Sequence, residues 1–440
     1  MSLKKYLVSG AAALALVGTA AMAASVHIEK DGTGDYLIAP AYFANSASWS
    51  TKIKVVNTNT TAAVIAKVII REGVMSKELV DFPLFLTPGD VFEGTLHYRD
   101  GAIYFDTDDD SVKLAAGQHG LQVNLTQRAD ILRGQGFSCV NETKGYVEII
   151  GLGDVNMSTL KSWDSNWTGE TCPYDKEVLF DKIKGGDITS LNLDETVPVA
   201  DSDLMGQQII MRNVADNNGK RAMFLNMLAF GGVSEATISG NGVLGTDQNI
   251  KTLFGAAKLN ELKDELTKSH AYVMYEGNAD YKADPFLTIF TYPYWKNEDS
   301  NASCATAYKL DENTTIFRDM SENSNYCDKA PCVVTSDNNN DGLGLSGPTE
   351  EQNQTTCPKP EFTDEVSIIF LHDPEGSGPD AWANKYLFSS GGYIDIKLPD
   401  SGESNVWKGL PIIPTTFYAK KVGDLYLNNH LYNQYLKEKK

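Results

Sequence analysis

Short runs in which apolar and polar residues alternate follow one another through the segment after position 24. In the run STKIKVVNT, which starts at Ser50, two lysines alternate with isoleucine and valine. Alternation with a period of two is typical of a strand that buries one face. Turn residues separate the runs, as the Asp100-Gly101 pair does. The pattern predicts a mainly β fold, an antiparallel Ig-like β-sandwich.

Two long segments interrupt the alternation, and the strand pattern resumes after each of them. The first covers residues 136–181 and the second covers residues 296–360; both are polar, and together they contain all six cysteines. Long irregular segments that interrupt a β pattern are usually loops on its surface. We therefore predict a β scaffold with two long loops, divided into an N-terminal sandwich region (24–232) and a C-terminal α+β region (233–440).

One segment has helical rather than strand periodicity. The stretch that starts at Thr246 places apolar residues near one helical face, at Leu253, Ala257, Leu262 and Leu266. Thr246 or Asp247 could accept a hydrogen bond from the first turn and cap it. The spacing predicts one long helix in the C-terminal region.

The N-terminus has the three parts of a secretory signal. Lys4 and Lys5 precede a short apolar run, and Ala21-Met22-Ala23 forms a small-x-small cleavage site. An uncleaved membrane anchor is the alternative. No later stretch approaches the ~20 apolar residues of a membrane-spanning helix. We expect residues 1–23 to be removed and the mature chain to be extracellular, on the cell surface or in a periplasm.

The charge balance is acidic. The chain has 38 Lys and Arg residues against 58 Asp and Glu residues, a formal net charge of −20 at pH 7. Such a chain repels nucleic-acid phosphate and attracts divalent cations, so we exclude nucleic-acid partners.

The even number of cysteines is typical of disulfides in an exported chain. The sequence has no C-x-x-C pair that would favour a zinc site. Six cysteines allow about fifteen connectivities, which stay open. From their positions in the two loops, we expect the pairs Cys139–Cys172, Cys327–Cys332 and Cys304–Cys357.

Within the second loop, the stretch DNNNDGL spaces its oxygen-bearing residues like a calcium loop. The first three ligand positions and a backbone carbonyl are supplied by Asp337, Asn339, Asp341 and Leu343. The twelfth position is Pro348 rather than Glu. The stretch resembles dockerin-like and thrombospondin-type calcium loops, which implies a weak calcium site. A polar turn is the alternative, because Asn and Asp are also common turn residues.

Two further groups of residues suggest ligand contacts. Trp163 and Trp167 lie four residues apart in the first loop, where exposed indole rings would suit stacking on a sugar or packing against a partner. The stretch DTDDDS spaces the carboxylates of Asp106, Asp108 and Asp110 at alternate positions. A cation could neutralise them, or they could form a solvated turn between strands.

A broader resemblance covers most of the mature chain. The runs DYLIAPAYFA, TKIKVVNTNTTAAVIAKVIIREG, VDFPLFLTPGDVFEGTL and GLPIIPTTF resemble those of uncharacterised exported bacterial proteins with an Ig-like scaffold. The resemblance implies a fold and a location outside the cytoplasm, but no activity.

The candidate chemistry favours binding over catalysis. The chain has no G-x-S-x-G motif, and its six histidines are scattered. We therefore expect no catalytic residues and no organic cofactor. The first hypothesis is a non-enzymatic surface or extracellular protein that contacts other surface proteins or copies of itself, with calcium stabilisation and self-assembly as further expectations. The second is a secreted carbohydrate-binding module or glycoside hydrolase.

Overall fold

The computed structural model of the chain is mainly antiparallel β-sheet. It describes residues 25–45, 49–112, 120–163, 196–197, 203–213, 220–233, 253, 255–275, 286–291, 308–309, 315–319, 361–362, 365–370, 384–385, 392–400, 402, 404–422, 425–432 and 434–440. The predicted mainly β fold is confirmed at this level. No helix within these ranges is long and apolar enough to cross a membrane.

The first of two seven-stranded sheets is called the central sheet here. Its strands, in spatial order, are β1 (His27–Ile28), β14 (Leu228–Gly231), β3 (Tyr36–Phe43), β10 (Lys144–Asn156), β5 (Ala62–Glu72) and β6 (Glu78–Leu86), with β11 (Thr196–Val197) paired to β10.

The second seven-stranded sheet is called the outer sheet. Its strands, in spatial order, are β13 (Lys220–Asn226), β12 (Leu204–Asn213), β4 (Trp49–Asn57), β7 (Val91–Arg99), β8 (Ala102–Thr107) and β9 (Leu121–Asn124), with β2 (Thr33–Gly34) paired to β12.

The two sheets pack against each other around a shared apolar core. On β4, buried and half-buried positions alternate along the strand, as its sequence predicts. Ile53 and Val55 of the outer sheet join the same cluster as Leu37 and Val68 of the central sheet. The rings of Phe82 and Phe105, one from each sheet, stack with centroids 5.3 Å apart.

The opposite face of the central sheet is also covered, and we call it the covered face. Its apolar residues, such as Ile65 and Ile150, belong to a second core cluster that includes Leu262, Phe290 and Ile413 from the C-terminal half. Strands β3 and β5 are consequently buried at every position. The predicted region boundary at 232 is not tested by this arrangement and stays a prediction.

The C-terminal strands form two larger sheets and two short pairs. One sheet contains β15 (Thr267–Lys268), β25 (Leu410–Val422), β17 (Phe286–Thr291), β21 (Val366–Phe370) and β22 (Asn384–Lys385), with β26 (Leu425–Tyr432) on β25. The other contains β19 (Thr315–Asp319), β23 (Gly392–Lys397), β16 (His270–Tyr275) and β27 (Gln434–Leu436). The pairs are β18 (Tyr308–Lys309) with β20 (Glu361–Phe362), and β24 (Trp407–Lys408) with β28 (Glu438–Lys439).

Three helices lie within the described ranges: α1 (Leu125–Gly134), α2 (Met157–Trp163) and α3 (Ala256–Leu266). The predicted helix is confirmed over Ala256–Leu266, where α3 begins after Gly255 rather than near Thr246. The predicted cap residues Thr246 and Asp247 lie outside the described residues. Helix α1 was not predicted from the sequence. The side chain of Asn124 caps it by accepting a hydrogen bond from the Gln127 N–H, at 2.9 Å.

The predicted loop over 136–181 is wrong in its first half. Strand β10 lies within it and pairs with β3 on one side and β5 on the other. The sequence conceals this strand because Gly145, Gly151 and Gly153 dilute its β-propensity. Gly145 is required there, since a Cβ atom would lie 1.9 Å from the carbonyl oxygen of Arg71. Of the second loop, 296–360, the described parts are β18 and β19.

Candidate functional site

A groove of about 700 Å³ opens on the outer face of the outer sheet, over β7, β8 and β9. The residues that line it and carry its chemistry are Glu93, Thr95, Asp106, Asp108, Leu121 and Gln122. Because successive side chains of a strand point to opposite faces, the groove residues alternate with core residues such as Phe92 and Phe105. The alternation of side chains along these strands therefore places apolar residues in the core and polar residues in the groove.

The register of a tight hairpin places these side chains together. Asp100 and Gly101 both have positive φ, 52° and 86°, and form the two-residue turn between β7 and β8. The turn fixes the pairing of Thr95 with Asp106, and β9 then places Gln122 beside Asp106. Thr95, Asp106 and Gln122 consequently form one row across three strands.

Asp106 is held by two basic groups. Its Oδ2 atom lies 2.8 Å from Nε2 of His97 and 3.2 Å from a terminal nitrogen of Arg99. The Arg99 guanidinium also lies 4.5 Å from the ring centroid of Tyr104. The other carboxylate oxygen of Asp106, Oδ1, is buried and has no hydrogen-bond partner among the described residues. The contacts with His97 and Arg99 thus fix the orientation of this carboxylate.

Glu93 is the second carboxylate of the groove and also contacts two cations. It accepts a hydrogen bond from the Lys52 ammonium, and Lys54 Nζ lies 2.9 Å from its other oxygen. The hydrogen bond from Lys52, followed by the effect of Lys54, lowers the pKa of Glu93. Glu93 is therefore ionised at neutral pH, which suits it to accept hydrogen bonds rather than to donate protons.

The acidic stretch after β8 is mainly a structured turn. The Thr107 hydroxyl donates to the carbonyl of Glu93 at 2.7 Å, and the Asp109 carboxylate accepts from the N–H groups of Glu93 and Ser111. Asp108 lies on the groove rim. Within the described ranges, no group of three or more His, Cys, Asp or Glu residues is arranged to hold a metal ion.

A glycine forms the end of the groove where β9 begins. Gly120 has a φ of 75°, and a Cβ atom there would lie 2.1 Å from the carbonyl oxygen of Thr107. The strand can approach β8 this closely only because the residue has no side chain. Gly120 therefore sets the spacing between Asp106 and Gln122.

A second polar cluster lies on the covered face and is closed to solvent. Arg71 Nε lies 2.6 Å from Glu148 Oε2, and the Tyr36 hydroxyl donates to Oε1 of Glu148 at 2.6 Å. Arg71 also donates to the carbonyl of Ser76. Arg71 and Glu148 are only 4% and 1% exposed, so this cluster cannot meet a ligand from solution.

Most residues predicted from the sequence to be functional lie outside the described residues. These are the calcium-loop residues Asp337, Asn339, Asp341 and Leu343, as well as Trp167 and the five cysteines from Cys172 onward. Trp163 is the last residue of α2. Cys139 is disulfide-bonded, but its partner is not among the described residues, so the predicted pairings stay predictions.

Asp106 and Asp108 were predicted from the sequence as candidate ligand-contact residues, but the other groove residues were not. A usable signal was present, because the Asp-Gly pair predicts a two-residue hairpin. Counting outward from that turn places Thr95 opposite Asp106, and His97 opposite Tyr104. The contribution of β9 could not be found in this way, since residues 113–119 separate it from β8.

Comparison with known proteins identifies no relative from which this site could be interpreted. No family model matches the chain, and no curated protein or solved structure is significantly similar to it.

Proposed function

We propose that this chain is an exported protein of the cell surface or extracellular space that acts by binding rather than by catalysis. The groove on the outer sheet would be its contact site. The observation that supports this proposal is the state of the groove carboxylates. Glu93 and Asp106 are each paired with two basic side chains on the outer face of the sheet.

The apolar surroundings of the groove are consistent with a macromolecular partner. Val91 is 49% exposed on β7, and Met205 and Phe224 are 41% and 46% exposed on β12 and β13. Because β4 lies between β7 and β12, these residues share the outer face with the groove. Charged groups beside exposed apolar side chains are typical of contact surfaces. Other surface proteins or further copies of this chain are the partners that we propose.

The location and the contact site can be tested together. We expect fractionation to place the mature chain outside the cytoplasm, beginning near residue 24, and an antibody to detect it on intact cells. Sedimentation should show assembly of the purified protein that weakens after Asp106→Arg. Asp130→Arg, on the exposed side of α1, is the matched control. Recovery of the chain only from the cytoplasm would refute the location, and equal behaviour of both variants would refute the site.

A saccharide is the second candidate ligand, because the groove combines groups that suit a sugar. Thr95 supplies a hydroxyl and Gln122 supplies an amide beside two fixed carboxylates. We expect glycan-array binding to be lost in Gln122→Arg and kept in Asp130→Arg. A negative array and a negative polysaccharide-hydrolysis screen would together exclude the carbohydrate function.

The Ig-like character of the sandwich, the disulfide framework and the calcium loop stay part of this proposal. If Asp337 and Asp341 bind calcium, the ion should protect residues 329–359 from proteolysis, because binding stabilises the folded loop by mass action. EDTA, or the double change of both aspartates to Asn, should remove the protection. Equal cleavage under all three conditions would show that the stretch is a polar turn.

A further inference from the structure

The covered face of the central sheet contains a lysine and an aspartate in unusually close contact. Lys67, on β5, is completely buried, and Asp81, on β6, is 12% exposed. The Nζ atom of Lys67 lies 2.5 Å from Oδ2 of Asp81. Among the described residues, Oδ2 has no hydrogen-bond partner, so the approach of the two groups is outside hydrogen-bond geometry. The amine nitrogen of Lys67 is thus next to the carboxyl group of Asp81.

The strand register explains why these two side chains meet. Strand β5 pairs with β6 so that Ile69 faces Asp81 and Lys67 faces Pro83. Lys67 and Asp81 are therefore diagonal neighbours on one face, a separation that a long lysine side chain spans. Ile65, Ile69 and Phe85 of the apolar cluster lie on the same face. The contact is made in surroundings that are largely apolar.

Such surroundings favour neutral groups. Transfer of a proton from the ammonium to the carboxylate would remove two charges that are costly to bury. The products of that transfer, an amine and a carboxylic acid in contact, are the reactants of amide formation. We propose that Lys67 and Asp81 condense to form an intramolecular isopeptide bond. The amide carries no charge, so its formation makes the removal of both charges permanent.

The reaction balances without any other reagent. The Nζ lone pair attacks Cγ of Asp81 and forms the C–N bond. One carboxyl C–O bond then breaks, and that oxygen leaves as water with the two protons released from nitrogen and carboxyl. Glu148 is suited to relay a proton, since it faces Ile69 from β10 and is therefore a diagonal neighbour of Lys67 on the same face. Its carboxylate is held in place by Arg71 and Tyr36.

The position of the bond suggests what it would do. Strand β6 is an edge strand of the central sheet, and edge strands separate from a sheet most readily. A covalent link to β5 would prevent β6 from peeling away under force or during proteolysis. This role is independent of the groove and of any ligand that binds there.

Peptide mapping of the full-length protein tests the proposal directly. Trypsin does not cleave after a lysine whose amine is acylated. The denatured, reduced protein should therefore yield one branched peptide that joins residues 55–71 to residues 78–99. Its mass should be lower than the sum of the two by one water molecule. Separate peptides 55–67 and 78–99, recovered from protein that was folded before digestion, would overturn the proposal.

Variants identify the residues responsible. Lys67→Arg and Asp81→Ala should each abolish the branched peptide, whereas Lys77→Arg, a nearby lysine on the same hairpin, should retain it. Glu148→Gln should leave much of the folded protein unlinked, with the bond forming slowly on incubation. Even if the first two variants fail to fold, the wild-type mass decides between an isopeptide bond and a buried ion pair.

Discussion

The central and outer sheets both carry charged side chains at alternate strand positions, but these charges have different surroundings. On β4 of the outer sheet, Lys52 and Lys54 point away from the core and contact Glu93 in a partly exposed cluster. On β5 of the central sheet, Lys67 and Arg71 occupy equivalent alternate positions but are 0% and 4% exposed. The difference arises because C-terminal residues cover the central sheet. Alternation identifies a face of a strand but not what covers that face.

The difference should have energetic consequences. An exposed ion pair contributes little, because water already solvates both charges and salt screens them. A buried pair is costly to assemble, and removing one partner leaves the other charge without compensation. Equivalent substitutions on the two sheets should therefore have very different effects.

The largest expected effect is on the covered face. Glu148→Ala should lower the free energy of unfolding by about 3–5 kcal/mol, because it removes the carboxylate that contacts the buried Arg71 guanidinium. The measurement is the urea unfolding midpoint, with Glu93→Ala on the outer sheet as the control. A double variant, Arg71→Met with Glu148→Leu, should be milder than Glu148→Ala. Equal losses for Glu148→Ala and Glu93→Ala would contradict the comparison.

Lys268 sharpens the comparison, since it is a buried lysine close to a second ammonium. Burial, followed by the charge of Lys437, lowers its pKa from 10.5 to about 7. Between these values the unfolded chain binds the proton and the folded chain does not, so stability rises with pH in that window. Below pH 7 the folded chain carries the full free-energy cost of burying the charged Lys268 ammonium. Replacing the lysine by methionine (Lys268→Met) should therefore stabilise the fold by a few kcal/mol at about pH 6.

Thermal unfolding as a function of pH provides the measurement for Lys268. The gain from Lys268→Met should shrink as the pH rises towards 10, because the unfolded chain then also loses the proton. Lys408→Met, at an exposed position on β24, is the control and should show little pH dependence. A gain that is constant across the range would mean that packing, rather than charge, accounts for the effect.

Gly120→Ala should lower the free energy of unfolding by an intermediate amount and should also weaken binding in the groove. Alanine at positive φ, with its Cβ against the Thr107 carbonyl, should destabilise the fold by about 1–3 kcal/mol. Because β9 would move away from β8, the loss of binding free energy for a ligand or partner should exceed the loss of unfolding free energy. Gly89→Ala is the control, since it also has positive φ but has open space around it. Similar loss of binding in both variants would show that the groove spacing is not critical.

The smallest effect is expected for the exposed cluster. Lys52→Ala should cost at most about 1 kcal/mol at neutral pH. Because the pKa of Glu93 is lowered in the folded state, this contribution is present above the unfolded pKa and disappears as the pH falls through the folded pKa. Chemical unfolding at pH 7 and in strong acid measures it. If Lys52→Ala lowered the free energy of unfolding as much as Glu148→Ala does, the Lys52–Glu93 pair would behave as a buried ion pair, which would contradict the comparison.

The sequence predicted the features that depend on local chemistry. The alternation in β4, the apolar spacing of α3 and the Asp-Gly turn each involve neighbouring residues, and all are present in the structure. Strand β10 was missed because its glycines allow close contact with β3 and β5, which is a tertiary requirement. The groove was missed because its residues meet only through the pairing of three strands.

The coverage of the central sheet also constrains how the chain reaches its native state. The residues that pack on the covered face of the central sheet include Phe290, Val366 and Ile413. The N–H of Val366 also donates a hydrogen bond to the carbonyl of Gly73. These residues are synthesised long after β3 and β5. Until these residues emerge from the ribosome, the nascent chain exposes an apolar sheet face that is prone to aggregate. Contacts between residues so far apart in the sequence also form slowly. Folding of this protein should therefore finish only after synthesis is nearly complete, and it should depend on chaperones that shield that face.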